Sequence, residues 1–310
     1  MNSLSERELQ HALAPLRRVL LRHFAGVPAG QRDVATAIPW LTFIRIAAPT
    51  PTGQGMLEPS LCLLVQGAKQ LLLGQDILHY GPGSYVLAAV DMPVSGQVTT
   101  ASAAQPYLGI RIDLDPKEVA AFLLEMQPAV PPVQEGRPAA YIEQADAALL
   151  DVFRRLLELL DRPRDVAVLA RLLKQELTYH LLMAPSGGIL AQAVLGNAGE
   201  RAVGQAIRWI RDHYDEPLSI DALARHVRLS SSVLHRRFKQ VTVMSPLQYQ
   251  KHVRLLEARK LLMNGGVEAA TVAFRVGYES PSQFSREYRR LFGAPPLRDA
   301  EQLRHQLPEP

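Results

Sequence analysis

Apolar residues in the first thirty positions recur at Leu9, Leu13, Leu16, Leu20 and Leu21, the spacing of one helical face, and the pattern stops at a Gly/Pro break. Residues 36–114 change character. Short apolar runs at 40–46, 61–65, 69–73, 77–80 and 85–89 are separated by turn signals at 49–55, Gln66-Gly67, Gly74-Gln75-Asp76 and Gly81-Pro82-Gly83. Strands this short at this spacing predict a sandwich or small barrel. Helical spacing returns over 116–127, after Asp115-Pro116. Residues 128–138 are Pro-rich and read as a loop. Residues 143–183 are strongly helical, with a break near Arg162-Pro163. That leucine-rich pair of helices serves either as a dimer surface or as a layer packed on the β domain. Residues 187–199 read as a linker, and 200–298 are helical again. The predicted class is α+β, with a β-rich unit and its helices over 1–186 and an all-α unit over 200–300.

Composition agrees with packed domains. Hydrophobic residues make up 47% and charged residues 21%, which excludes a disordered chain. No apolar run approaches the roughly 20 residues that span a bilayer, and the polar start of the chain is unlike a signal peptide. The expected compartment is the cytoplasm, with no membrane partner. The single cysteine, Cys62, excludes an intrachain disulfide and a cysteine-based zinc site.

Charge is unevenly spread. Residues 199–298 hold 17 Lys and Arg against 9 Asp and Glu, whereas the remainder holds 17 basic and 21 acidic residues. A basic segment of that length is either the footprint of a polyanion partner, usually nucleic acid, or a solvated basic face. Within it the sequence repeats at an offset of fifty. Ser230 matches Ser280, Ser232 matches Ser282, Leu234 matches Phe284, Arg236 matches Arg286, Phe238 matches Tyr288, and Pro246 matches Pro296. Each copy reads as two helices across a tight turn: 219–227 then 230–241, and 267–276 then 280–292. This is the layout of two helix-turn-helix units. Ser280-Pro281-Ser282-Gln283 and Ser245-Pro246-Leu247-Gln248 both predict a capping box with Pro at the first helical position. A helix over 246–263 joins the units. It spans about 27 Å, enough to set two recognition helices one DNA turn apart.

Helical spacing places Val233, Leu234, Phe238 and Val241 inward on the first recognition helix, and Phe284, Tyr288 and Phe292 inward on the second. Ser231, Ser232, His235, Arg236 and Lys239 then face outward, as do Ser282, Gln283, Ser285, Arg286, Arg289 and Arg290. Arg bonds bidentately to guanine edges, and Ser and His reach base edges at short range. Lys239, Arg289 and Arg290 suit phosphate.

These residues resemble the DNA-binding domain of the AraC/XylS family of bacterial transcription regulators. The resemblance runs from about Val203 to Arg298. It includes Glu216-Pro217-Leu218-Ser219, Leu223-Ala224, Phe238-Lys239, Ser245-Pro246, Arg254-Leu255, Gly277-Tyr278-Glu279-Ser280, Gln283-Phe284-Ser285-Arg286 and Pro295-Pro296. Two departures stand out: Arg228 and Val243 occupy positions where the family usually has Gly. The resemblance implies that Ser232, His235 and Arg236 read bases in one groove, and Ser282 and Arg286 in the next. Residues 20–185 resemble the AraC-type N-terminal domain, in a subgroup with a cupin-like fold, through Glu58-Pro59-Ser60-Leu61-Cys62-Leu63, Gln66-Gly67, Tyr80-Gly81-Pro82-Gly83 and Asp91-Met92-Pro93-Val94. That resemblance implies a cupin-like barrel that binds a small effector, forms a homodimer, or both. It further implies an activator of promoters, with double-stranded DNA and RNA polymerase as partners.

A metal-dependent cupin enzyme needs two or three His and a carboxylate at one site, yet His79 is the one histidine between Trp40 and Leu114. No cofactor or metal is implied, and the chain is read as a non-enzyme. Cys62 lies in an apolar strand and is either a small buried hydrophobe or a reactive thiol, with a reactive aldehyde or other electrophile as effector. Lys69, His79 and Arg111 are the other candidate effector residues. Two alternatives stay open: a regulator controlled by abundance or a protein partner without a ligand, and a cupin enzyme fused to a DNA-binding tail.

Overall fold

The computed structural model describes residues 4–28, 30–74, 76–133, 137–196 and 198–306. Gln75 of the expected turn, residues 134–136 of the Pro-rich loop and Asn197 of the expected linker lie outside the described residues.

The chain opens with α1 (Glu6–His23), whose N-cap Ser5 and Glu8 form a complete capping box. Among the described residues, ten strands form two antiparallel sheets. The larger sheet runs β1 (Asp33–Ala35), β2 (Leu41–Ile46), β9 (Tyr107–Asp113), β4 (Ser60–Gln66), β7 (Ser84–Ala88) and β10 (Ala140–Gln144). The smaller runs β3 (Gly53–Leu57), β8 (Met92–Thr100), β5 (Ala68–Leu73) and β6 (Asp76–Tyr80). Alternation assigns the faces. Leu41, Phe43, Leu61, Leu63, Leu87, Ile110 and Ile112 point away from the small sheet into the main core, with Leu13, Leu16 and Leu20 of α1. Leu64, Val86 and Tyr107 point between the sheets toward Leu71, Tyr80 and Val98.

Helices α2 (Pro116–Met126), α3 (Ala147–Leu159), α4 (Pro163–Met183) and α5 (Gly187–Leu195) complete the unit. The break at Arg162-Pro163 is the start of α4, with Pro in its first turn. Two expectations change here. Residues 143 and 144, the expected start of a helix, instead end β10 (140–144), which completes the sheet by pairing with β7 from Ala140–Ala88 to Gln144–Ser84. Residues 187–195 of the expected linker are α5, since Gly187 through Leu190 are buried against the main core. Strand β3 also begins inside the expected turn at 49–55, pairing Gly53 with Gly96.

The C-terminal helices are α6 (Ala198–Asp212), α7 (Ile220–His226), α8 (Ser231–Thr242), α9 (Pro246–Met263), α10 (Ala269–Arg275), α11 (Pro281–Phe292) and α12 (Pro296–Gln306). They enclose two small cores. Tyr249 and Val253 of α9 enter the first with Leu223, Leu234 and Phe238. Leu255, Ala258 and Leu262 of the same helix enter the second with Val272, Phe284 and Tyr288. One rigid helix therefore fixes both units. The two halves of the chain touch. Arg211 of α6 pairs with Asp91 and lies 3.4 Å from Glu58. The Tyr249 hydroxyl donates to the Asp91 carbonyl at 3.0 Å, and the Ala139 N–H donates to the Val241 carbonyl at 3.0 Å. Among the described residues, no helix is long and apolar enough to cross a membrane.

Candidate nucleic-acid interface and barrel interior

Each recognition helix is started by a serine. Ser230 accepts from the Val233 N–H and Ser280 from the Gln283 N–H. The expected box at Ser280 is only half formed, because the Gln283 side chain donates to Glu287 at 3.1 Å instead. Glu287 also accepts from Lys251 at 3.0 Å and from the Tyr278 hydroxyl at 2.9 Å, and so holds α11 against α9. At Ser245 the box with Gln248 is complete.

The turns explain the two departures at usual glycine positions. Gly277 has φ 84, and Arg228 takes the same left-handed conformation at φ 58. The N–H after each returns to the leading helix: Leu229 to the Ala224 carbonyl at 2.9 Å, and Tyr278 to the Ala273 carbonyl at 2.9 Å. Arg228 therefore preserves the turn at a cost of about 1 kcal/mol. Val243, the C-cap of α8, has φ 57 where the second unit has Gly293 at φ 82. A β-branched residue is uncommon there. Its side chain meets the barrel: a Cβ on Gly74, at the tip of the β5–β6 hairpin, would sit 3.0 Å from Val243 Cβ.

Leu234, Phe238, Phe284 and Tyr288 are buried, as their spacing predicts; Val233, Val241 and Phe292 are half-buried. Ser232, His235, Arg236 and Lys239 are exposed on α8, and Ser282, Gln283, Arg286, Arg289 and Arg290 on α11. Ser231 and Ser285 are half-buried, and the Ser231 hydroxyl donates to Asp221 of α7. Lys239 and Arg290 sit lower on their helices. They line a cleft of about 720 Å³ whose other wall is Leu73, Gly74 and Asp76 of the hairpin. His252 lines it too, and burial pushes its imidazole down to about 4, so it is neutral at pH 7.

Of the candidate effector residues, three face the space between the sheets. Cys62 and Arg111 are cross-strand partners, and Lys69 pairs with Tyr80 across the hairpin. His79 does not join them: it is exposed, one residue out of phase with buried Tyr80, so alternation turns it to the outer face. Burial pushes the Cys62 thiol above its usual range, against the opposing pull of Lys69, Tyr107 and Arg111. The thiol is thus neutral near pH 7 and a poor nucleophile. Alkylation of the native chain by N-ethylmaleimide at pH 7.5 is expected to be slower than that of free cysteine, and to accelerate on unfolding; intact mass against time measures it. Tyr80, Tyr107, Gly96 and Gly109 belong to the same interior and were not legible as site residues. Only strand register brings them there.

The family model of the AraC-type transcriptional regulator N-terminus matches residues 37–189, and a helix-turn-helix domain model matches residues 223–302. This chain belongs to the AraC/XylS family of transcription regulators. Among relatives, it is 29% identical over 193 residues to the HTH-type transcriptional activator RhaS of Salmonella arizonae, spanning 62% of this chain and 68% of that one. RhaS of Salmonella dublin is 29% identical over 184 residues, 59% of this chain and 65% of that one. In fold, the AraC-family regulator is similar to Vibrio cholerae ToxT with an unsaturated fatty acid bound. The TM-score is 0.55 at 9% identity, covering 86% of this chain and 94% of that one. ToxT bound to (E)-4-(8-methylnaphthalen-1-yl)but-3-enoic acid gives 0.56 at 10% identity, covering 84% and 99%. At those identities the likeness is one of fold.

Proposed function

We propose that this AraC-family regulator is a sequence-specific transcription activator, working in the cytoplasm on promoter DNA and RNA polymerase, and controlled by a small molecule held between the sheets of its barrel. The observation that carries the DNA reading is the pair of serine-capped helices, α8 and α11, with exposed Ser, His and Arg faces on one connecting helix. In this reading Ser232, His235, Arg236, Ser282 and Arg286 meet base edges, while Lys239, Arg289 and Arg290 meet phosphate. Ser231 and Gln283, engaged with Asp221 and Glu287, orient their helices. The description of RhaS as an activator supports the sign of control.

Two substitutions separate the roles. Arg286→Ala is expected to cost about 1–3 kcal/mol at one base position and to relax specificity there. Lys239→Ala is expected to weaken all sequences alike and flatten the salt slope by about 1. Binding selections on randomised sites and titrations at several salt concentrations measure both. An unchanged preference in Arg286→Ala would remove α11 as a base reader.

The neutral Cys62 thiol favours a noncovalent effector over an electrophile, and the binding of small molecules by ToxT, a chain of similar fold, supports a small-molecule effector. The homodimer is assigned to α4. Val168, Leu169, Leu172 and Tyr179 are exposed on it at helical spacing, while Leu177, Leu181 and Leu182 are buried. Such a stripe suits a second copy of the same helix. Leu172→Glu is expected to convert the dimer to a monomer in sedimentation velocity without lowering the melting temperature. A dimer that persists would place the interface elsewhere.

A further inference from the structure

The two turns of the repeat are built alike and carry different side chains. After each turn a backbone N–H returns to the leading helix, Leu229 to Ala224 and Tyr278 to Ala273, both at 2.9 Å. Each turn needs one left-handed residue, Arg228 at φ 58 in the first and Gly277 at φ 84 in the second. A Cβ is unfavourable in that conformation, which is why glycine suits it. Gly277 is also closed in, since a Cβ there would meet the Asp215 carbonyl oxygen at 2.1 Å. The first turn is open, and Arg228 is exposed.

Nothing in the folded chain accounts for the arginine. Its backbone N–H donates to the Arg225 carbonyl at 3.1 Å, but its side chain has no ion-pair or hydrogen-bond partner among the described residues. A glycine would make the same turn without the strain. Strained positions of this kind cluster where a chain meets its ligand. The local charge indicates which ligand. Arg225 and His226, in the last turn of α7, are exposed beside Arg228. Asp221, at the opposite end of α7, is engaged by the Ser231 hydroxyl. The second turn instead carries an exposed acid, Glu279, directly before Ser280. The first turn is therefore a positive corner two residues ahead of Ser230, the N-cap of α8, and the second is not. Phosphate is the anion that flanks a groove occupied by a recognition helix.

We propose that Arg228 contacts a DNA phosphate and anchors the first recognition helix, and that the left-handed backbone is tolerated for the sake of this charge. The proposal rests on the reading that α8 enters the major groove, and adds a contact to the strand beside it. The two units then hold DNA unequally. The first grips the backbone at its turn, and the second does not.

The test measures binding of the full chain to a duplex carrying the site it selects from randomised DNA, at salt from about 50 to 200 mM. Arg228→Gly is expected to bind about tenfold more weakly at ~50 mM, narrowing to about threefold at ~200 mM, because one counterion fewer is released. Its base preference stays that of the parent. Its denaturation midpoint rises, so the loss of affinity does not come from unfolding. Arg228→Lys is expected to keep the parent's salt slope. Arg236→Ala, measured alongside, tests the α8 reading separately by relaxing preference at one base position. If Arg228→Gly matches the parent in affinity and slope, or shifts the base preference, or if Arg228→Lys loses the slope, the phosphate contact is overturned and the α8 reading stands on Arg236→Ala. If Arg236→Ala leaves the preference intact, α8 is not the reader and both fall.

Discussion

Replacing Arg259 with alanine is expected to destabilise the second helix-turn-helix unit by about 3–5 kcal/mol. Arg259 donates twice to Asp299 of α12, at 2.8 Å through Nε and 2.8 Å through a terminal nitrogen. The Asp299 side chain is 7% exposed, and its remaining partner is the Tyr288 hydroxyl at 2.8 Å. Removing the guanidinium leaves a carboxylate in the core with one neutral donor. The cost is that of an uncompensated buried charge rather than that of a surface pair. Because Tyr288 belongs to α11, the damage reaches the helix that carries Arg286. Thermal unfolding should show an early transition. DNA binding should fall, while Asp299→Asn in the Arg259→Ala background should recover part of the loss by removing the stranded charge. A single unshifted transition in Arg259→Ala would sink the account.

Gly277→Ala is expected to cost about 3 kcal/mol, through two effects acting together. The φ of 84 excludes a comfortable side chain, and a Cβ at this position would meet the Asp215 carbonyl oxygen at 2.1 Å. That carbonyl is backbone and cannot swing aside. The same turn is clamped by Arg254, whose three nitrogens donate to the carbonyls of Tyr214 at 2.6 Å, Gly277 at 2.7 Å and Glu216 at 2.8 Å. A shift of Gly277 therefore disturbs the path between α6 and α7 as well as its own unit. Arg228→Gly in the first unit is the counterpart and should change stability by less than 1 kcal/mol in the favourable direction. Chemical denaturation of the three chains gives the comparison, and equal stability of Gly277→Ala and the parent would refute the clash.

The parts of the structure that could be read from residues alone are those governed by neighbours in sequence. Ser230, Ser245 and Ser280 stop the backbone where they stand, so the starts of α8, α9 and α11 needed no knowledge of the fold. Helix α9 closes at Asn264, followed by two left-handed glycines, as the Asn-Gly-Gly run implies. The misreadings are all tertiary. Glu143 and Gln144 carry helix-forming side chains and end a strand only because β7 offers an open edge. Residues 187–195 look like a spacer until the main core buries them. Gln283 is placed to complete a capping box and turns to Glu287, a residue four positions on whose role depends on Lys251. The barrel site is the hardest case. Chemistry alone suggests Cys62, Lys69 and Arg111, but Tyr107 becomes a neighbour of Cys62 only once β4 and β9 pair, and Tyr80 only once the two sheets face each other.

The β5–β6 hairpin has one face in each half of the chain. Lys69 and Tyr80 line the barrel near its base, and Gly74 at its tip rests on Val243, the C-cap of α8. A free energy carried along this hairpin has no direction. If a ligand in the barrel changes the affinity for DNA tenfold, DNA changes the affinity for that ligand tenfold. The operator is then itself an effector, and the concentration at which the barrel half-fills depends on the sequence to which α8 is bound. Two promoters with different sites would consequently switch at different ligand levels, using the same protein and the same pocket.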